Sequence, residues 1–143
     1  MKKEIMIIAV DFDGTIVEHR YPEIGKEIPF AVATLCQLQR DMPGLHIVLW
    51  TVREGLLLED AVEWCEKRGL RFYAVNSNYP GEISSAADQG CRKVSADLYI
   101  DDRNLGGLPS WPEIYKKVSG REQGNIVGDK VDSSFISRLF SRR

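Results

Sequence analysis

The chain alternates short apolar runs with longer segments in which apolar residues recur every three or four positions. Short, β-branched runs are typical of buried strands, whereas the longer spacing is typical of helices with one apolar face. Strands are predicted at residues 5–10, 46–50, 72–75 and 96–100. Helices are predicted from about residue 29 to residue 42, at 57–67 and at 111–118.

The first two helices carry boundary signals of their own. Pro29 can open a helix in its first turn, and the pair Pro43-Gly44 ends the same element. Gly69 stands where a left-handed terminator of the second helix belongs. The predicted apolar faces consist of Phe30, Ala33, Leu35 and Leu38 in the first helix, and of Leu58, Ala61, Val62 and Cys65 in the second.

The order of the elements predicts an α/β domain with an open parallel sheet and right-handed crossovers. Residues 1–120 are predicted to form this domain, and residues 121–143 a polar linker and a short C-terminal helix. Four apolar residues share one face of that helix: Phe135, Ile136, Leu139 and Phe140. The helix either packs on its own domain or docks on a neighbouring subunit of a homo-oligomer, and the sequence leaves both open.

Charge and composition exclude several classes of protein. The formal net charge is −2 over 143 residues, so nucleic-acid binding is not indicated. The apolar run at 5–10 is too short to span a membrane, and it leads into Asp11 rather than a cleavage site. Cys36, Cys65 and Cys91 form no CxxC pair, which disfavours zinc and favours reduced thiols in the cytoplasm.

Polar residues cluster directly after the predicted strands. In an open parallel sheet the carboxyl ends of the strands meet at one edge, where ligands bind. Several carboxylates at one edge repel each other, and a hard cation such as Mg²⁺ relieves that repulsion. The residues that follow strands one, two and four are Asp11 and Asp13, Thr51 and Arg53, and Asp101 and Asp102.

The remaining groups suit phosphate chemistry. Thr51, Arg53 and Lys93 supply hydrogen-bond donors for phosphate oxygens. A carboxylate can attack phosphorus to give an aspartyl-phosphate, while a cation and a lysine spread the negative charge of the transferring group. The sequence therefore predicts a magnesium-dependent phosphoryl-transfer site.

Four segments resemble the motifs of the haloacid dehalogenase superfamily, in the order of that family. Asp11-Phe12-Asp13-Gly14-Thr15 is similar to its first motif, Thr51 to its second, Lys93 to its third and Asp101-Asp102 to its fourth. The resemblance implies a three-layer, Rossmann-like sheet. The gaps at 15–29 and 76–93 are each shorter than about 20 residues, far below a typical domain, so no cap domain is expected.

The resemblance also implies residue roles. Asp11 would be the nucleophile, and Asp13 the acid for the leaving group and then the base for water. The Asp11 carboxylate, the Asp13 carbonyl and Asp102 would hold Mg²⁺, with Asp101 binding through water or exchanging roles with Asp102. Thr51, Lys93 and the backbone at Phe12 would hold the phosphoryl oxygens; Lys93, rather than Arg92, would also pair with Asp11. An acid two residues after the nucleophile implies a phosphatase acting on a small phosphorylated substrate.

Plainer interpretations stand beside these roles. Thr51 is also a candidate N-cap of the second helix, a role that is compatible with phosphate binding. Arg53 is expected to be a surface or salt-bridge residue rather than a substrate contact. His19 and Tyr21 lie where substrate passes, or simply at the surface. Two other classes of protein remain as alternatives: a receiver-like phospho-acceptor domain, whose acidic pair comes first and whose phosphorylated Asp comes mid-chain, and a catalytically silent binding module.

Overall fold

The structure is a computed structural model that describes residues 6–82 and 93–120. Four strands and three helices follow one another in the predicted order: β1 (Met6–Val10), α1 (Ala31–Asp41), β2 (Leu45–Leu49), α2 (Gly55–Glu66), β3 (Ala74–Val75), β4 (Leu98–Ile100) and α3 (Trp111–Ser119). The predicted C-terminal helix lies outside the described residues.

All four strands are parallel, which confirms the predicted α/β sheet. Their spatial order is β3-β2-β1-β4, with β1 paired to both β2 and β4. This is the order of a Rossmann-type half-sheet, and it differs from the 2-1-3-4-5 order of flavodoxin-like and receiver domains. The strand order reverses between β1 and β4, so the carboxyl ends of these two strands form the crevice where such sheets bind ligands.

The side chains of the strands alternate between two clusters on opposite faces of the sheet. On one face the residues Ile8, Val10, Ile47 and Leu49 pack against apolar residues of α1, α2 and α3. On the other face Ala9, Val48 and Ala74 pack with Val94, which belongs to the connection from β3 to β4. The expected third layer of helices is not found within residues 6–82 and 93–120, where the three helices all contribute to the first face.

The start of α1 differs from the prediction. The helix begins at Ala31 rather than near Pro29, because Phe30 adopts a left-handed conformation with φ of 69°. The Glu27 carboxylate accepts the Val32 N–H at 2.9 Å and so caps the first turn. Ala33 is exposed, whereas Leu35 and Leu38 are fully buried. The predicted apolar face was therefore wrong at Ala33 and right at the two leucines.

The end of α2 confirms the prediction for Gly69. Its φ is +89°, and its N–H donates to the Glu66 carbonyl at 3.0 Å. The next N–H, of Leu70, donates to the Cys65 carbonyl at 3.0 Å, which completes a Schellman motif. On the face of this helix, Ala61 and Cys65 are buried, while Leu58 and Val62 pack partly buried against the core.

The connection from β1 to α1, at residues 11–30, contains only isolated bridges, one between Asp13 and Val17 and one between Val17 and Glu27. A cap domain is therefore not inserted at this point of the chain. In the part of the chain that the structure describes, no helix has both the length and the apolar character needed to cross a membrane.

Candidate active site

The four loops that follow the carboxyl ends of the strands surround one open cavity of about 870 Å³. Each loop contributes side chains to its lining: Asp11 after β1, Thr51 after β2, Asn76 after β3 and Asp101 after β4. Lys93 lines the same cavity from the connection that precedes β4. The structure thus brings to one edge the residues that the sequence placed at separate strand ends.

Three carboxylates form a cluster at the crevice between β1 and β4. One oxygen from each of Asp11, Asp101 and Asp102 lies within 4.8 Å of the other two, and all three residues are partly buried. The backbone explains the approach, because the Asp11 N–H donates to the Ile100 carbonyl at 3.0 Å and so extends the pairing of β1 with β4. Two acidic segments about 90 residues apart in the chain therefore share one site.

The cluster is electrostatically unfavourable as it stands. The pKa of Asp11 is raised from 3.8 to about 7, chiefly by burial and also by the neighbouring charges of Asp101, Asp102 and Asp13, against the lowering effect of a backbone hydrogen bond from Phe12. Three hard oxygen donors at this spacing fit a cation such as Mg²⁺, which would stabilise the charged form of all three groups. The donor set therefore fits the expected metal.

Gly14 and Thr15 allow Asp102 to reach the cluster. A Cβ atom on Gly14 would lie only 2.4 Å from Asp102 Oδ2, and its φ of +87° also favours glycine. The buried hydroxyl of Thr15 accepts the Asp102 N–H at 3.0 Å and lies 3.2 Å from Asp102 Oδ1 and 3.5 Å from Asp11 Oδ2. The role of Thr15 was missed in the sequence, although the residue stands in the first motif.

Asp13 lies apart from this cluster and has a cation of its own. Arg53 Nε donates to Asp13 Oδ2 and Arg53 Nη2 to Asp13 Oδ1, both at 2.8 Å. The side chains of Arg53 and Asp13 are only 0% and 7% exposed. Of the two expectations for Arg53, the salt bridge is correct and the surface position is wrong. Of the four residues that the sequence predicted at the metal, Asp11, Asp101 and Asp102 have clustered side chains. The carboxylate of the fourth, Asp13, binds Arg53.

Thr51 does not cap α2, whose N-cap residue is Glu54. The Thr51 hydroxyl accepts the backbone N–H of Arg53 at 3.1 Å, and the backbone N–H of Thr51 donates to Asn76 Oδ1 at 2.8 Å. A hydroxyl that accepts one hydrogen bond can still donate its proton to a phosphoryl oxygen. Asn76 adopts a left-handed conformation with φ of 51°, and its role in fixing Thr51 was missed because a polar loop residue carries no distinctive pattern.

The positions of Lys93 and Phe12 refine their expected roles. The Lys93 ammonium lies 4.5 Å from the centre of the Tyr99 ring; among the ion pairs of the described residues, none joins it to Asp11. Arg92 lies outside the described residues. The Phe12 ring is fully buried and packs edge-on against Trp64, so only its backbone is available at the site. His19 and Tyr21 both line the cavity.

Comparisons with known proteins give one relative. No protein-family model matches the chain, and no curated protein matches it either. A solved structure of a conserved protein from Bacteroides thetaiotaomicron is 52% identical; the alignment covers 87% of this chain and 99% of that one, with a TM-score of 0.70. The description of that protein as conserved names no activity.

Proposed function

The chain belongs to the same family as this conserved Bacteroides thetaiotaomicron protein, and we propose that it is a magnesium-dependent phosphatase of the haloacid dehalogenase type. Its substrate is a small phosphate monoester, cleaved through an aspartyl-phosphate on Asp11. The observation that carries the proposal is the cluster of Asp11, Asp101 and Asp102, whose carboxylate oxygens lie within 4.8 Å at the crevice between β1 and β4.

The residues that would hold Mg²⁺ are Asp11, Asp101 and Asp102 through their side chains and Asp13 through its backbone carbonyl. When bound, the ion neutralises negative charge on the carboxylates and on the phosphoryl oxygens. The residues at the rim complete the set of donors, since the Thr51 hydroxyl and the Lys93 ammonium line the same cavity. The raised pKa of Asp11 supports the need for a cation, because this carboxyl would otherwise be half protonated near pH 7.

In the proposed reaction these groups act in two steps. A carboxylate oxygen of Asp11 attacks phosphorus, the bond from phosphorus to the ester oxygen breaks, and the departing oxygen takes a proton from Asp13. A water molecule then attacks the phosphorus of the aspartyl-phosphate and gives a proton to Asp13. Inorganic phosphate leaves, Asp11 returns as a carboxylate, and Asp13 is neutral as it was before the first step. Between turnovers Asp13 exchanges this proton with solvent and forms the ion pair with Arg53 found in the substrate-free structure. Thr51, Lys93 and the Phe12 backbone hold the phosphoryl oxygens throughout.

The arrangement favours this function over the two alternatives. A receiver domain has its β1 strand between β2 and β3, whereas here β1 lies between β2 and β4. A silent binding module has no need for a carboxylate such as Asp11, whose pKa is raised to about 7 beside two further acids. The pattern of cysteines supports placing the reaction in the cytoplasm.

Hydrolysis of a generic aryl phosphate tests the proposal. We expect turnover with Mg²⁺, none after chelation, and recovery when Mg²⁺ is added back. Asp11→Asn should lower kcat by at least about a thousandfold, since it removes the nucleophile. Glu66→Gln, which likewise replaces a carboxylate by an amide but at an exposed position of α2, serves as the control. Activity of Asp11→Asn within tenfold of wild type would exclude the mechanism, and absence of turnover on aryl and metabolite phosphates alike would favour the silent module.

A further inference from the structure

Arg53 is a charged side chain that the fold buries almost completely, with 1% of the residue exposed. Burial of a guanidinium is costly unless all its donors find acceptors. The group has five N–H donors, and the structure gives it five hydrogen bonds. The acceptors are Asp13 Oδ2 and Oδ1 at 2.8 Å each, the Glu23 carbonyl at 2.9 Å, the Pro22 carbonyl at 3.1 Å and the Leu57 carbonyl at 3.4 Å.

Two aromatic rings complete the surroundings of the guanidinium. Its central carbon lies 5.2 Å from the ring centre of Phe12 and 5.2 Å from that of Tyr21. Phe12 is fully buried, whereas Tyr21 is 44% exposed and lines the cavity. Arg53 thus contacts the turn that carries Asp13 and one wall of the cavity at the same time.

The loop that carries Tyr21 is held differently at its base and at its tip. At the base, the Glu18 N–H donates to the Lys26 carbonyl at 2.7 Å, and the Ile28 N–H donates to the Ile16 carbonyl at 2.8 Å. At the tip, the carbonyls of Pro22 and Glu23 accept from Arg53. The side chain of Arg53 therefore connects the tip of this loop to the body of the domain.

We infer that Arg53 is a positioning residue that couples the substrate-side loop at Tyr21–Glu23 to the Asp13 carboxylate, so that one planar group sets both the wall of the cavity and the orientation of the acid. The role of Asp13 in turnover rests on the proposed function. The attachment of the loop does not, because it depends only on contacts present in the folded chain. Lysine cannot replace arginine here, since it has three donors and no planar fork.

Limited trypsin digestion tests the attachment without any substrate. Arg20 and Lys26 flank the loop tip and are exposed. In Arg53→Lys, cleavage after these two residues should accelerate by about tenfold or more, because the hydrogen bonds that hold the tip are lost. Arg40→Lys, the same exchange at an exposed position in the last turn of α1, should leave the rate unchanged.

Two digestion results would overturn the attachment. One is an unchanged rate in Arg53→Lys. The other is equal acceleration after Lys116 and Lys117 in α3, which would mean that the whole domain opens. Tyr21→Ala removes the stacked ring without disturbing the buried charges, and it provides a second route should Arg53→Lys fail to fold. It should also accelerate cleavage at the two loop sites, by a smaller factor, and no acceleration would count against the coupling.

Steady-state kinetics test the coupling to Asp13. Tyr21→Ala should raise KM in the wild-type background and change it much less in Arg53→Lys. Asp13→Asn should lower kcat in the wild-type background and lower it much less in Arg53→Lys. Additive effects in both cycles would overturn the coupling, since independent sites give additive changes. If the wild type itself has no turnover, the proposed function fails, while the digestion result still decides whether Arg53 holds the loop.

Discussion

Asp13 lies two residues from Asp11, yet Asp13 and the cluster of Asp11, Asp101 and Asp102 solve the problem of buried charge in opposite ways. Asp13 is 7% exposed and pairs with Arg53, a cation supplied by the chain itself. Asp11, Asp101 and Asp102 are partly buried and lie among like charges. Asp13 is electrically paired in the folded protein, whereas the cluster would be completed by the Mg²⁺ ion that we propose.

The contrast separates a structural device from a chemical one. A buried ion pair with every donor satisfied fixes geometry, although it adds little net stability compared with an apolar pair. A cluster of like charges costs stability, and proteins retain such a cost where a ligand or a metal repays it. In the proposed reaction the Asp13–Arg53 pair positions the acid, and the three-carboxylate cluster supplies the nucleophile and the metal ligands.

Outside the cluster, the largest expected effect on turnover concerns Asp13. Asp13→Asn should slow hydrolysis of the aspartyl-phosphate by about 10² to 10⁴-fold, since proton transfer by a positioned group contributes that much. With an aryl phosphate the first step should be spared, so rapid-quench measurements should record a burst followed by slow turnover. Equal losses for good and poor leaving groups would contradict the role.

Removal of Arg53 should be the most damaging change to stability. Arg53→Met leaves the Asp13 carboxylate buried without its cation, which should cost about 3–5 kcal/mol in the free energy of unfolding by urea. Asp13→Leu combined with Arg53→Met should recover much of that loss. Asp101→Asn, by contrast, should not destabilise the metal-free protein, because it relieves repulsion. A loss for Asp101→Asn as large as that for Arg53→Met would remove the distinction between the two groups.

Magnesium should stabilise the protein in a pH-dependent way. The folded-state pKa of Asp11 is raised to about 7, so the folded chain holds an extra proton between about pH 4 and pH 7. The contribution of this group to stability therefore falls as pH rises through that window. At pH 8 and at 100 times its Kd, Mg²⁺ should add about 2.7 kcal/mol.

The stabilisation by the same concentration of Mg²⁺ should be smaller at pH 5.5, where the proton on Asp11 competes with the metal. Thermal unfolding at both pH values, with and without Mg²⁺, measures the difference. The same stabilisation at pH 5.5 and pH 8 would argue against Asp11 as a metal ligand.

The smallest expected effect comes from Gly14. Gly14→Ala adds a Cβ that would meet the Asp102 carboxylate at 2.4 Å, so it should weaken Mg²⁺ binding in addition to costing about 1–3 kcal/mol of backbone strain. Gly69→Ala provides a matched control, since its φ of +89° is nearly the same and no atom lies within 4 Å of the added carbon. Titration calorimetry with Mg²⁺ should separate the two variants. Equal Mg²⁺ affinities would place Asp102 outside the metal site.

The amino-acid sequence by itself determined the parts of this protein that depend on local pattern. Apolar runs and three-to-four spacing locate all four strands and three helices of the described residues, because burial on a sheet and on a helix imposes those periods. Gly69 marks the end of α2 because only a residue without Cβ adopts φ of +89° without strain. The placement of acids after β1 and β4 follows from parallel strands ending at one edge.

The tertiary structure alone decided which polar groups become partners. Asp13 and Arg53 stand 40 residues apart, and nothing local distinguishes an arginine that is buried in five hydrogen bonds from one on the surface. The strand order decided that Asp11 meets Asp101 and Asp102, since β4 returns to the open side of β1. Ala33 is exposed because the face of α1 that packs on the core carries Ala31, Leu35 and Leu38 instead. Periodicity reports whether a residue is buried, whereas its partner is set by contacts between distant segments once they have packed.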